Sequence, residues 1–277
     1  AENYKSNSNS NIGYVRIYEY SESSSDWEQI GDSIIGESAG DKSGRGLSLS
    51  SDGTIVAIGA RQNDIISPNF VSNVGHVRVY QRDISNTTIT PIGWTKLGDD
   101  INGETANDES GHSVSLSSDG TIVAIGAKLN DGNGSNSGHV RVYQYSSNSW
   151  TKLGDDIDGE ASDQSGLSVS LSSDGTRVAI GSTVGTRIFD YSSNAWTKIG
   201  SNVQGKYCSL SNDGNIIVTG HDKEIKIYGY NNYIDVDDKI LLNTYVKLGD
   251  DIDGEASYDY SGRSVSLSSD GTIVAIG

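Results

Sequence analysis

The sequence predicts an all-β chain, and more specifically a five-bladed β-propeller with four-stranded antiparallel blades. Three observations support this prediction. Short apolar bursts recur along the 277 residues, an Asp-Gly turn follows the first burst of every copy, and no stretch keeps a helical period for ten residues. The turns lie at Asp52, Asp119, Asp174, Asp213 and Asp270, and their mean spacing of about 55 residues is close to one fifth of the chain.

Each repeat contains four strand patterns in a fixed order. In the second repeat, residues 113–117 alternate with period two and lead into the Asp-Gly turn, which is a strong hairpin signal. Residues 121–127 are almost continuously apolar, as is typical of a strand that is covered on both faces. Residues 139–145 alternate again, and a fourth strand begins at Trp150 and ends in an acidic loop.

The repeats predict a single domain that spans residues 1–277. Its blades are predicted at 43–109, 110–164, 165–205 and 206–260, with a fifth blade divided between 261–277 and 12–42. The N- and C-terminal strands would then share one blade and close the ring, which removes free sheet edges. The alternative is a stretch of a longer repeat array, in which the phase of the two ends is accidental.

Composition excludes several classes of function. The chain has 20 Lys and Arg against 37 Asp and Glu, a net charge of −17, which disfavours nucleic acid and anionic membrane surfaces as partners. Its apolar runs are too short for membrane insertion. The chain begins at Ala1, as it would after removal of a signal peptide, so we expect a secreted, extracellular or cell-surface protein. Cys208 replaces a Val of strand one, so we expect a small buried side chain and no internal disulfide.

The repeat unit resembles the FG-GAP repeat of integrin α-subunit propellers. The resemblance rests on Ser110-Gly111 ahead of strand one, on Val-Ala-Ile-Gly-Ala in strand two, and on Gly-His-Val-Arg-Val-Tyr in strand three. It implies that the Ser-rich strand lies innermost, and that the chain acts in adhesion or recognition. Calcium-binding members carry a long acidic loop between strands one and two. Here that loop is only Ser-Ser-Asp-Gly, which supplies too few oxygen ligands for calcium.

A second acidic loop follows strand four, and it offers weak calcium candidates. Carboxylates crowd around a Gly in this loop, at Asp155, Asp158 and Glu160 and again at Asp250, Asp253 and Glu255. The alternative is a solvated turn between blades whose Asp side chains cap backbone donors. No metal or cofactor site is otherwise predicted.

Other side chains are better explained by structure than by chemistry. The Trp series at positions 27, 94, 150 and 196 is expected to anchor outer strands on neighbouring blades, with sugar-stacking platforms as the alternative. Asn86 and Asn133 begin glycosylation sequons. The innermost strands contain no acid and the repeats are nearly alike, so we expect no catalytic residue.

The sequence therefore predicts a non-enzymatic extracellular structural or adhesion module, a subunit of a larger assembly such as a filament. Other proteins or copies of the same chain would be its partners. A multivalent, lectin-like propeller that binds glycans is the alternative prediction.

Overall fold

The computed structural model describes residues 11–65, 70–222, 224–235, 240–254 and 261–277. Every regular element in these ranges is a β-strand, which confirms the predicted all-β class. No helix in the described ranges is long and apolar enough to cross a membrane.

Twenty-four strands follow one another in the described ranges. The N-terminal residues form β1 (Tyr14–Val15), β2 (Tyr18–Ser21), β3 (Asp26–Gln29) and β4 (Ile34–Ile35). The first complete repeat forms β5 (Ser43–Leu49), β6 (Ile55–Ala60), β7 (His76–Arg82), β8 (Trp94–Lys96) and β9 (Ile101–Asn102). The second forms β10 (Ser113–Leu116), β11 (Ile122–Ala127), β12 (His139–Ser146), β13 (Ser149–Lys152) and β14 (Ile157–Asp158).

The third repeat forms β15 (Ser168–Leu171), β16 (Arg177–Ser182), β17 (Gly185–Ser192) and β18 (Ala195–Val203). The fourth forms β19 (Tyr207–Leu210), β20 (Ile216–His221), β21 (Glu224–Asp235) and β22 (Ile240–Asp253), and the last hairpin contains β23 (Val265–Leu267) and β24 (Val274–Ile276).

Each of the four complete repeats forms one antiparallel sheet whose strands pair in chain order. β9 and β14 are short additions that pair with the third strand of their sheet. All six residues of β6 are buried, because apolar side chains on both of its faces pack against neighbouring sheets. The apolar core therefore lies between successive sheets, as in the cluster that joins Val77 and Val79 to Val123 and Ile125.

The Asp-Gly turns form as predicted. In the second repeat, Asp119 Oδ1 accepts hydrogen bonds from the Ser117 hydroxyl at 2.6 Å and from the Thr121 backbone N–H at 3.0 Å. Gly120 follows with φ of 71°, a conformation that glycine adopts without steric cost. The turn thereby fixes the register in which β10 and β11 pair.

Serine side chains join the innermost strands of successive sheets. The Leu116 backbone N–H donates to Ser48 Oγ at 3.0 Å, and the same bond recurs from Leu171 to Ser115, from Leu210 to Ser170 and from Leu267 to Ser209. One backbone bond also joins each pair of neighbouring Asp-Gly turns, from Ser51 to Ser118, Ser118 to Ser173, Ser173 to Asn212 and Asn212 to Ser269. One contact repeated in this way turns each sheet relative to the last about a common axis, which is a propeller-like arrangement.

Strand-four aromatics join the outer parts of the sheets, as predicted for the Trp series. The Trp94 indole is 1% exposed and donates to the Ile30 carbonyl at 3.1 Å. Trp150 and Trp196 donate in the same way to the Leu97 and Leu153 carbonyls, each at 2.8 Å.

One boundary in the described residues lacks these links. β23 and β24 pair only with each other, no bond joins Ser266 to Leu49, and Trp27 is 64% exposed. We call this boundary the seam: β22–β24 lie on one side and β1–β5 on the other. The predicted blade count, blade limits and closure stay predictions.

Candidate active site at the mouth of the central cavity

A cavity of about 360 Å³ lies among the five innermost strands. Its walls come from β5, β10, β15, β19 and β23 and the residues just before them, and they include Gly46, Ser113, Ser168, Cys208 and Ser264. All five strands begin at the same end of the cavity, which we call the mouth. The Ser-rich strands therefore lie innermost, as the resemblance to the FG-GAP repeat implies.

Close backbone contacts between sheets place the residues of the mouth. A Cβ added to Gly59 on β6 would lie 2.1 Å from the Gly111 carbonyl oxygen of the next repeat. Only glycine allows this approach, and Gly111 itself has φ of 82°. The same pair recurs at Gly126 and Gly166. The residue after the second glycine is thereby directed to the mouth.

That residue is basic in most repeats, although the chain as a whole is strongly acidic. The positions seven residues before each Asp of the Asp-Gly turns hold Arg45, His112, Leu167, Lys206 and Arg263, although in the fourth repeat it is the Lys206 carbonyl itself that Gly181 approaches. Arg45, His112 and Arg263 line the cavity, whereas the Lys206 ammonium group lies 3.5 Å from Asp222 Oδ2. Arg45 and Arg263 are thus the charged residues that line this cavity, in a chain whose net charge is −17.

His112 and Glu109 form a buried pair beside the cavity. His112 Nδ1 lies 3.6 Å from Glu109 Oε2, and the two residues are 6% and 8% exposed. Glu109 also contacts the Arg61 guanidinium at 3.0 Å and the Lys128 ammonium at 3.7 Å. Its backbone is left-handed, with φ of 55°, and the equivalent residues Lys42 and Gln164 share this conformation, so it is a feature of the repeat.

The electrostatics of this pair favour a neutral imidazole and an ionised carboxylate. Burial is the largest cause that lowers the pKa of His112, and the charges of Lys128 and Arg45 lower it further, whereas Glu109 raises it. Burial alone raises the pKa of Glu109, but its contacts with His112, Arg61 and Lys128 outweigh burial and lower that pKa to about 2. At neutral pH the site therefore holds a base that is free to take a proton.

This arrangement has the parts of a general-base site. Glu109 Oε2 is the carboxylate oxygen that approaches the ring, and it does so on the Nδ1 side. Arg45 lies on the neighbouring inner strand and lines the same cavity. Glu109 and His112 occur together in one repeat only, because the position of Glu109 is taken by Lys42 and Gln164 in the flanking repeats.

The calcium candidates are placed apart from this site. Asp155, Asp158 and Glu160 are exposed, Asp250 and Asp253 are exposed on β22, and Glu255 lies outside the described residues. In the described part of the chain, the residue groups close enough to share a metal ion include none of these six. Calcium binding at these loops stays an untested prediction.

Arginine side chains lie between these loops and the next sheet. Arg187 donates to the Asp158 carbonyl at 2.9 Å, and Arg141 contacts Glu104 of the preceding acidic loop at 3.1 Å. The loops at 99–104 and 155–160 therefore contact the next sheet through Arg141 and Arg187.

Two buried histidines lie in clusters with metal-like geometry. The clusters are Glu37, His76 and Asp100, and Glu104, His139 and Asp156, each with ligand atoms within 4.8 Å of one another. Cations already balance the carboxylates in both. Arg78 contacts Glu37 at 3.4 Å and Lys96 contacts Asp100 at 2.7 Å in the first cluster, and Arg141 and Lys152 do so in the second. These are repeated ion networks between sheets.

The glycosylation candidates have partly engaged amide groups. Asn86 Nδ2 donates to the Ile89, Pro91 and Trp94 carbonyls, so a glycan on this nitrogen would disturb the local turn. Asn133 is exposed, and its Nδ2 donates to the Gly159 carbonyl at 2.8 Å. Glycosylation at either site stays a prediction.

Sequence reasoning missed the residues of the mouth. The predictions relied on positions at which the repeats are alike, whereas Arg45, His112 and Arg263 lie at positions at which the repeats differ. The available signal was the position after each Ser-Gly pair, where cationic residues recur in an acidic chain. The Glu109–His112 spacing was a second signal.

The sequence and the fold are each similar to known proteins. Residues 102–143 match the family model of the FG-GAP repeat, which confirms the FG-GAP-like repeat character of the chain. No curated protein matches the sequence.

Several solved structures share the fold. A Bacteroides uniformis protein named "putative 6-phosphogluconolactonase" superimposes with a TM-score of 0.58 at 13% identity, over 97% of this chain and 69% of that protein. A Bacteroides fragilis protein of the same description gives 0.55 at 13% identity, over 88% and 66%. The periplasmic gluconolactonase PpgL of Pseudomonas aeruginosa gives 0.54 at 12% identity, over 96% and 74%. At these identities the likeness shows a β-propeller-like fold.

These neighbours contradict the predicted non-enzymatic structural or adhesion module, together with its lectin-like alternative. The prediction that the chain is not an enzyme is wrong because it sought only converging carboxylates on nearly identical strands. Proteins named as lactonases share this fold, and one repeat here differs from the others by carrying Glu109 and His112 at the mouth.

Proposed function

We propose that the chain is a hydrolase of small anionic lactones, with its active site at the mouth of the central cavity. The observation that carries this proposal is the buried Glu109–His112 pair, set among Arg45, Arg61 and Lys128 in a chain of net charge −17. The names of the structural neighbours supply the reaction type.

The proposed reaction needs no group beyond the chain, the lactone and water. Neutral His112 takes a proton from water as the water oxygen attacks the carbonyl carbon of the lactone. Arg45 stabilises the oxyanion of the tetrahedral intermediate. The bond between this carbon and the ring oxygen then breaks, and the ring oxygen takes the proton from the imidazolium. The product is an open-chain hydroxy acid, which ionises in solution.

Glu109 acts as a positioning residue in this mechanism. Its carboxylate faces Nδ1 and favours the tautomer whose Nε2 is free to accept a proton. Arg61 and Lys128 hold the carboxylate ionised, since they contribute to its low pKa. Buried cations around the pair also favour a substrate that carries a phosphate or carboxylate group.

Hydrolysis assays test the proposal. We expect acid release from 6-phosphoglucono-δ-lactone, and more weakly from glucono-δ-lactone, above the spontaneous rate at neutral pH. His112→Gln should lower kcat by about 10²–10⁴-fold, the usual contribution of a general base. The matched control is His221→Gln, because His221 is 47% exposed on another sheet and should leave the rate unchanged. Activity that survives His112→Gln, or is lost in both variants, contradicts the proposed site.

The finer architecture is part of the same proposal. We propose five blades around one axis, closed at the seam by terminal strands that share a blade, because all five innermost strands already line one cavity. We also propose that the protein is exported, a proposal supported by the periplasmic neighbour.

A further inference from the structure

One large side chain interrupts a ring of small residues on the walls of the central cavity. The residues that stand six positions before the Asp of each Asp-Gly turn all line the cavity, and they are Gly46, Ser113, Ser168, Tyr207 and Ser264. Four of these five residues are small. Tyr207 therefore departs from the repeat at a position that lines the cavity.

The serines at this position use their hydroxyl groups within the wall. Ser113 Oγ donates to the Gly166 carbonyl at 2.7 Å, and Ser168 Oγ accepts from the Cys208 backbone N–H at 3.2 Å. The Tyr207 hydroxyl, in contrast, bonds to no residue in the part of the chain that the structure describes. A partly buried phenol usually has a hydrogen-bond partner, and a molecule in the cavity can supply one.

The walls that the third and fourth repeats contribute are largely apolar. Among the described residues these walls contain Leu167, Ser168, Val169, Tyr207 and Cys208. A tyrosine side chain combines an apolar ring face with a polar tip, so this side of the cavity suits a molecule with an apolar face and hydroxyl groups at its edge. A sugar ring has this construction.

The cavity has the size for one such ring. Its volume of about 360 Å³ is near the small end of the range for ligand sites, about 300–1,000 Å³. A small molecule that fills it contacts walls from several repeats at once. The same molecule can therefore contact the wall at Tyr207 and the wall at His112.

We infer that Tyr207 is a specificity-determining residue of the proposed active site, and that the substrates are lactones of sugar acids. The ring of Tyr207 packs against the apolar face of the lactone ring, and its hydroxyl forms a hydrogen bond with a hydroxyl group of the substrate. A site that bonds a substrate hydroxyl discriminates against an analogue without one. The inference rests on the proposed function, because it assigns a substrate class to the same cavity.

Binding of an unreactive ring tests this inference without any hydrolysis. The probe is 1,5-anhydro-D-glucitol, which has the ring and the hydroxyl groups of glucono-δ-lactone but carries CH₂ in place of the carbonyl. Tyr207→Phe removes only the phenol hydroxyl. Tyr207→Ser also removes the ring, and it should fold because Ser113, Ser168 and Ser264 occupy the same position in other repeats.

We expect Tyr207→Phe to raise the dissociation constant of the probe, measured by NMR titration of the full chain, by about five- to tenfold, the usual effect of one neutral hydrogen bond. Tyr207→Ser should raise it by about tenfold more, because the packing of the ring is lost as well. The matched control is Tyr145→Phe, because the Tyr145 hydroxyl bonds to Asn148 at 2.7 Å on an outer hairpin. This control should leave the dissociation constant unchanged.

Hydrolysis assays separate recognition of hydroxyl groups from a general effect on the cavity. δ-Valerolactone has the six-membered ring of glucono-δ-lactone but no hydroxyl groups. Tyr207→Phe should lower kcat/KM for glucono-δ-lactone by about five- to tenfold, through KM, and leave kcat/KM for δ-valerolactone unchanged. A merely structural role of Tyr207 would lower both values alike.

Three outcomes would overturn the inference. The parent chain could fail to bind the probe at millimolar concentrations, both Tyr207 variants could bind it as tightly as the parent, or Tyr207→Phe could slow both lactones equally. Probe binding that depends on Tyr207 in a chain that hydrolyses no lactone would refute the proposed reaction and leave the sugar-ring subsite intact. Lactone hydrolysis that depends on His112 but not on Tyr207 would do the reverse.

Discussion

His112 is a neutral base at physiological pH because its surroundings oppose its protonation. Burial and the nearby Lys128 and Arg45 lower its pKa below the ordinary value of 6.5. Glu109 is ionised at neutral and mildly acidic pH, since its contacts lower its pKa to about 2. At neutral pH the imidazole of His112 is therefore neutral and the carboxylate of Glu109 is ionised, which is the form that the proposed mechanism uses.

The pH dependence of hydrolysis follows from this balance. We expect kcat/KM to be constant around neutral pH and to fall tenfold per pH unit once the pH drops below the lowered pKa of His112. Glu109→Gln removes the partner that raises this pKa, so the fall should move to lower pH and kcat should also drop. Initial-rate profiles of both proteins measure this. A fall centred above pH 6.5 would contradict the assigned environment of His112.

Residues that follow the repeat were easier to predict from the sequence than residues that depart from it. Cys208 was expected to be small and buried because it replaces a repeated Val, and it is 6% exposed. The approach of His112 to Arg45 depends on contact between strands that are 67 residues apart in the repeat, and no local pattern reports such contacts. Glu109 depends in addition on a left-handed backbone, which propensity does not predict.

The outer strands are held by aromatic side chains that each bond to the preceding sheet. Trp94 makes two kinds of contact. Its ring packs against Val56, Ile58 and Tyr80, and its indole N–H donates one hydrogen bond. The packing contributes more to the free energy of unfolding than the hydrogen bond does, because burial of a large ring outweighs a single neutral hydrogen bond.

Substitutions at Trp94 separate the two parts. Trp94→Ala should lower the free energy of unfolding by about 3–5 kcal/mol, and Trp94→Phe by only about 1–2 kcal/mol, in urea titrations. Trp27 provides a comparison at the seam. If the seam closes as proposed, Trp27→Ala should destabilise by a similar amount, although this side chain is 64% exposed in the structure. An unchanged unfolding midpoint for Trp27→Ala would favour an open array.

Strand positions were predictable because they obey local rules. Period-two alternation and the Asp-Gly turns set β10 and β11, and continuous apolar runs mark the doubly covered second strands. The short extra strands β9 and β14 were not predicted. Each contains two residues and lies within an acidic loop, so its pairing depends on the third strand of the same sheet rather than on its own sequence.

Three buried histidines affect the whole molecule when the pH falls. Burial lowers the pKa values of His76, His112 and His139, and that of His76 reaches about 4. In the unfolded chain these residues take up protons near pH 6.5, whereas the folded chain resists. The unfolded state therefore binds more protons between these values, and stability falls as the pH falls.

We expect unfolding free energy to decline between about pH 6.5 and pH 4, with His76 alone contributing on the order of 3 kcal/mol. His76→Gln should lower stability at neutral pH yet flatten the dependence on pH. Urea titrations across this range provide the measurement, with His221→Gln as the control for an exposed histidine. A His76→Gln variant with the slope of the parent would show that this buried imidazole does not cause the effect.

The strong negative charge of the sequence describes the average surface of the molecule. It does not describe the mouth, which is locally basic. It argues against polyanionic partners for the surface as a whole, and the basic mouth departs from that average. Partnership with other proteins or with copies of the chain stays a prediction.

The serine links between innermost strands run in one direction. At each step the later sheet donates a backbone N–H and the earlier sheet accepts it on a serine oxygen, as from Leu116 to Ser48. Such a step sets the rotation between neighbouring sheets. Because the rotations in a closed ring must add up to one full turn, a fixed rotation allows the ring to close at one number of repeats only. Gain or loss of a whole repeat would therefore change the rotation required at every junction, and the same links could not all form.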